Sequence, residues 1–138
     1  PVTPFAPQYL GKRGGPTMRK EERGDIVMIS SVATKGNAAN GAPYNMGKAA
    51  MEALALTLAK EERKNGIRTN IVAPSLTVTE MGIRLTKAIT GGDIHKLDAN
   101  SPFGRVSVPE DVAAVVTFLV SDANPYANGQ KVNIDRGT

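Results

Sequence analysis

The chain has 138 residues, 41% apolar and 22% charged, a composition typical of a globular protein and a length that suits one domain. With no cysteine and a single histidine, it excludes a disulfide framework, a thiolate zinc site, a cysteine nucleophile and a multi-histidine metal centre. Seventeen Lys and Arg against thirteen Asp and Glu give a net charge of +4, but the two signs are interspersed and aromatics make up only 4%, which argues against nucleic acid as the partner.

Residues 1–24 carry Pro1, Pro4, Pro7 and Pro16 with Gly11, Gly14, Gly15 and Gly24, a density of breakers that argues against one continuous helix and leaves a short helical turn over 17–23. Asp25 to Val32 is a compact and nearly continuous apolar run, which reads as a buried strand. Residues 33–42 form a loop whose Gly and Asn supply turn conformations. Pro43 then opens a helix that runs from Tyr44 to about Lys64, with Ala50, Leu54 and Leu58 on its apolar face, Met51 and Ala55 beside them, and Asn65-Gly66 as its cap. Arg68 to Pro74 reads as a second strand, so strand, helix and strand make one parallel βαβ unit. Residues 75–106 are a long connection broken at Gly91-Gly92 and Pro102, the character of a functional lid. Ser107 and Glu110 are spaced as a capping box for a helix to about Ser121, with Val112, Val115, Val116 and Leu119 inward, and Gly129 to Asp135 is a closing strand. The whole is an α/β pattern of three strands alternating with helices.

No apolar run approaches the ~18 residues of a membrane span. No basic-then-apolar leader opens the chain, and its first residue is Pro1. These readings favour a cytoplasmic setting with no membrane partner.

Tyr44 and Lys48 stand four apart on a predicted helix, so they share a face. A lysine ammonium near a phenol favours the phenolate, which makes Tyr44 a candidate general acid or base. Ser31 ends the first strand, 13 residues before Tyr44. In an open α/β sheet, ligands bind at the carboxyl ends of the strands, and the long connection after Pro74 leaves from the same edge. A hydroxyl, a phenol with a cationic neighbour and a lid therefore converge. His95 is read as a surface residue of the lid with no role.

The chain strongly resembles the short-chain dehydrogenase/reductase family from about residue 24 to 137. The matching stretches are GDIVMISSVA, YNMGK, RTNIVAPSLTVTEM, PFGRVSVPEDVA, FLVSDA and GQKVNID, and they look most like the 3-oxoacyl carrier-protein reductase type. The resemblance implies a Rossmann-type doubly wound parallel sheet. Residues 1–138 would be one partial domain, the catalytic C-terminal half without the dinucleotide-binding N-terminal half, and 1–23 a poorly matched segment. It also implies a cytoplasmic homo-oligomer, dimer or tetramer, that interconverts a small-molecule alcohol and ketone with NAD or NADP as cofactor and no metal. Tyr44 would move the proton, Ser31 would hydrogen-bond the substrate oxygen, and Lys48 would assist Tyr44 and hold the nicotinamide ribose. Tyr44, Lys48, Pro74, Ser75, Thr77 and Thr79 would meet the cofactor.

Four departures from the family pattern stand beside the match. Pro74-Ser75 replaces Pro-Gly, putting a Cβ beside the nicotinamide position, and Asp135-Arg136-Gly137 replaces Asp-Gly-Gly. No Asn occupies the early position where the family often carries a catalytic one. The only early glycine cluster, Gly11 to Gly15, follows no strand and so lacks the context of a phosphate loop. These departures motivate a rival reading, a noncatalytic fragment or pseudoenzyme unable to bind cofactor alone. A basic nucleic-acid-binding module is the remote alternative.

Overall fold

A computed structural model describes residues 5–137. Its frame is a parallel sheet of β1 (Gly24–Ile29), β2 (Ile67–Pro74) and β3 (Lys131–Ile134), in that spatial order. β1 and β2 run in register from Gly24 opposite Ile67 to Ile29 opposite Val72, and β2 and β3 from Ile71 opposite Lys131 to Pro74 opposite Ile134. The carboxyl ends of all three strands therefore lie at one edge.

Helix α1 covers Phe5–Met18, α2 is a single turn over Ala33–Gly36, and α3 covers Ala42–Glu61, followed by a 3₁₀ turn over Arg63–Asn65. Beyond β2 come α4 (Glu80–Thr90), a 3₁₀ stretch over Ile94–Asn100, and α5 (Pro109–Val120). β2 is buried along nearly its whole length because both faces of a parallel sheet are covered. Ile71 packs with Met28, Met51 and Ala55 under α3, whereas Val72 and Asn70 are buried on the opposite face, where α5 crosses β1 and β2. Asn70 and Thr69 are polar yet buried; side-chain hydrogen bonds satisfy Asn70, whereas the Thr69 hydroxyl has no partner among the described residues and only its backbone amide is bonded to a side chain. Asn70 Nδ2 donates to the Ala127 carbonyl (2.9 Å), and the Thr69 amide donates to Asn128 Oδ1 (2.9 Å), which staples the turn before β3 to the middle strand.

Four expectations are corrected. Residues 5–18 form a continuous helix despite their breakers. Pro7 falls in the first turn, where its missing N–H has no intrahelical partner, and Pro16 removes one bond near the last turn. The remaining glycine cost is offset by docking: Gly11 lies against Leu58, where a Cβ would sit 3.8 Å from its Cδ1, and Arg19 just past the helix grips Glu62 at the end of α3 (Nε to Oε2 2.8 Å). The glycines leave a cleft of about 390 Å³ between α1, β1 and α3. The second correction is that the loop 33–42 begins with the helical turn α2. In α3, moreover, the fully buried stripe is Gly47, Met51, Ala55 and Ala59, and Ala50 is exposed, because the helix sets its smallest residues against β2. The α5 cap, finally, falls one residue later than Ser107: the Val108 amide donates to Asp111 Oδ2 (2.9 Å). Ser107 is drawn instead into a β-bridge with Thr77.

Candidate active site

Strand β1 runs out at Ile29, and the next two residues stay close to β2. The Ser30 amide donates to the Val72 carbonyl (2.7 Å) and the Val32 amide to the Pro74 carbonyl (3.1 Å), so Ser31 is held beside the end of β2. Its hydroxyl accepts a hydrogen bond from the Ala33 amide (3.1 Å), which leaves its own proton to donate.

Helix α3 starts at the same edge. Pro43 sits in its first turn, Tyr44 follows half-buried, and Lys48 is one turn further along. Lys48 Nζ lies 5.9 Å from the centroid of the Tyr44 ring and donates to the Ile29 carbonyl (2.7 Å), which pins the first turns of α3 to the end of β1. Burial pushes the Lys48 ammonium below its ordinary value of 10.5, against the opposing pull of the Glu52 carboxylate.

Glu52, Ser30, Thr34 and Lys131 form a cluster that the sequence reading missed. The Glu52 carboxylate accepts from Ser30 Oγ, from Thr34 Oγ1 (2.9 Å) and from Lys131 Nζ (3.0 Å). Burial raises its pKa, but the hydrogen bonds from Lys131, Ser30 and Thr34 and the lysine charge outweigh that, so it lies below the usual carboxylate value. One signal was present in the sequence, since Glu52 continues the four-residue spacing of Tyr44 and Lys48.

The segment after β2 forms the other wall. Ser75 donates its amide to the Ile134 carbonyl (3.0 Å), and its Oγ is buried without a hydrogen-bond partner. Thr77 is buried, its hydroxyl donating to the Ser75 carbonyl (3.0 Å). Thr79 caps α4, its Oγ1 accepting from the Gly82 amide (3.1 Å). Gly82 is required here, because a Cβ would fall 2.1 Å from the Thr77 carbonyl oxygen. Ser31, Tyr44, Lys48 and Pro74–Thr79 are thus all at one end of the sheet. Gly11 to Gly15 are not, since they lie inside α1. His95 is exposed and sits 3.4 Å from Asp98.

Two observations fit the nicotinamide end of a dinucleotide. The orphaned Ser75 hydroxyl sits at the carboxyl end of β2, and the Lys48 ammonium spends one proton on Ile29 and keeps others to donate. Among the described residues no glycine-rich turn joins a strand to a helix as a phosphate cradle does.

The family profile described as enoyl-(acyl carrier protein) reductase matches residues 5–138, a span that takes in α1. The chain belongs to the short-chain dehydrogenase/reductase family. Among relatives in this family, a tropinone reductase homologue of Arabidopsis thaliana is 35% identical over 130 residues, covering 94% of this chain and 48% of the relative. The (3R)-3-hydroxyacyl-CoA dehydrogenase of Rattus norvegicus is 35% identical over 136 residues, covering 99% of this chain and 48% of the relative. The structure of L-sorbose reductase from Gluconobacter frateurii, complexed with NADPH and L-sorbose, aligns with a TM-score of 0.84 and 28% identity over 96% of this chain and 53% of that one. The sheet is therefore the corresponding part of a Rossmann-type short-chain dehydrogenase/reductase fold, and the chain spans about half the length of the relatives it matches.

Proposed function

We propose that these residues form the catalytic side of an NAD(P)-dependent oxidoreductase that interconverts an alcohol and a ketone, a 3-oxoacyl thioester being the substrate class to test first. The observation that carries the reading is the convergence of Ser31, Tyr44 and Lys48 at the carboxyl ends of β1 and β2, with Lys48 bonded to the strand that delivers Ser31. Relatives named for reductase and dehydrogenase activity support it.

In the reducing direction Tyr44 gives its phenolic proton to the substrate oxygen as negative charge develops there, and in the oxidising direction the phenolate takes it back. Ser31 donates its free hydroxyl proton to the same oxygen and stabilises that charge. Lys48 keeps a cation beside the phenol, so the phenolate left after proton transfer is stabilised. A bound nicotinamide nucleotide supplies or accepts the hydride. Pro74, Ser75, Thr77 and Thr79 would hold its nicotinamide end, and Lys48 and Tyr44 its ribose. On the outer face of α3, Met46 is 70% and Leu56 41% exposed beside exposed Ala49, Ala50 and Ala53, a surface suited to contact with another copy.

Tyr44→Phe, made in the protein expressed from its complete reading frame, should remove nearly all ketone reduction while leaving the circular dichroism spectrum unchanged. Undiminished turnover in that variant would sink the assignment. The reading of a noncatalytic protein is favoured by the lack of a phosphate cradle among the described residues. Fluorescence titration of residues 1–138 with NADH and NADPH distinguishes the two, since clear binding by these residues alone counts against the noncatalytic reading.

A further inference from the structure

We propose that Glu52 is a positioning residue for this reaction: its carboxylate locks the turn that carries Ser31 to the helix that carries Tyr44 and Lys48. The inference rests on the reading of Ser31 and Tyr44 as the reacting pair.

Three parts of the chain meet at this one carboxylate. Ser30 and Thr34 come from the end of β1 and from α2, on either side of Ser31. Glu52 comes from α3, two turns after Tyr44, and Lys131 opens β3. Ser30 Oγ donates to Glu52. Thr34 Oγ1 is 2.9 Å from the Ser31 carbonyl and 2.9 Å from Glu52 Oε1, and its single proton serves one of them at a time. Lys131 Nζ lies 2.8 Å from Thr34 Oγ1 and 2.8 Å from Glu52 Oε1, closing the ring. Ser31 itself makes no bond to the carboxylate. Its position is set through the neighbours that do.

As a stabilising device the arrangement is weak. An ion pair whose side chains are 27% and 16% exposed gains only modest Coulomb energy against the cost of desolvation, and an apolar pair of similar volume would serve as well. What the apolar pair could not supply is a fixed register between the Ser31 turn and α3. Proton transfer between groups on two separate elements is sensitive to displacements of about 1 Å.

The test compares Glu52→Ala and the near-isosteric Thr34→Val with the parent protein expressed from its complete reading frame. Glu52→Ala should lower kcat about tenfold and Thr34→Val about fivefold, with KM for the nicotinamide cofactor within about twofold of the parent. The double variant Ser31→Ala/Glu52→Ala should be no slower than Ser31→Ala alone, because Glu52 acts through Ser31. A merely structural role would lower the unfolding temperature, leave kcat per folded molecule intact and add to the effect of Ser31→Ala. Either kcat within about twofold of the parent in both single variants, or additivity in the double variant, overturns the inference while leaving the reductase reading intact. Full turnover in Tyr44→Phe overturns that reading itself and the inference with it. If Glu52→Ala fails to fold, Thr34→Val decides by the same criteria.

Discussion

Glu62 shows how much one side chain can be altered by its partners. The Arg19 guanidinium, and secondarily the Asn65 amide, hold its carboxyl at about 2 against an ordinary value of 4.5. A depressed folded-state value means that the bond stabilises the protein fully above pH 4.5 and that this contribution is lost as pH falls towards about 2. Urea unfolding at successive pH values should therefore show a steeper loss of stability across that window than in Glu62→Gln, which has nothing to titrate there. Equal slopes would mean the clasp contributes nothing to folding. At this scale the placement of Ser31, Tyr44 and Lys48, the residues proposed for catalysis, at one end of the sheet was legible because its signals are one-dimensional: Tyr44 and Lys48 share a helical spacing, and Ser31 lies near the end of an apolar run. Lys131 was not, since its bonds to Glu52 and Thr34 span 79 and 97 positions in the chain and no local pattern marks it.

Among the elements, the strands and α3 emerged within about three residues of their sequence-based limits, β1 and α3 each ending three residues early at Ile29 and Glu61, because continuous apolar runs and uninterrupted helix formers leave little choice. Helix α1 did not, because glycine and proline describe only local preference, whereas contact with Leu58 and the Arg19–Glu62 pair decides the outcome. The segment beyond β2 depends on two details of α4. Loss of the Thr79 cap in Thr79→Ala should cost about 1 kcal/mol. Gly82→Ala should cost more, roughly 2 kcal/mol, because its methyl group would meet the Thr77 carbonyl and force the helix away. Denaturant midpoints rank the two, and the reverse order would mean that α4 shifts freely. The glycine was not legible in advance, as nothing local distinguishes it from an ordinary surface position.

For the molecule as a whole, the α/β alternation and parallel order followed from the sequence, and so did the expectation that the outer edge of the first strand calls for a partner. Among the described residues β1 pairs only with β2, and the strand alternates, so Asp25, Val27 and Ile29 turn their backbone groups to the open side. Open edges with apolar side chains invite pairing between chains. The 138-residue chain by itself should therefore associate as its concentration rises, and Ile29→Lys should suppress this in sedimentation velocity. A chain that stays monomeric over the whole range would show that this edge does not pair between chains. The bond from Lys48 to the Ile29 carbonyl gives this edge a second meaning. A strand laid along β1 through Ile29 would compete for the acceptor that the lysine now holds, so that completing the sheet and releasing the ammonium towards Tyr44 become linked equilibria, each favouring the other.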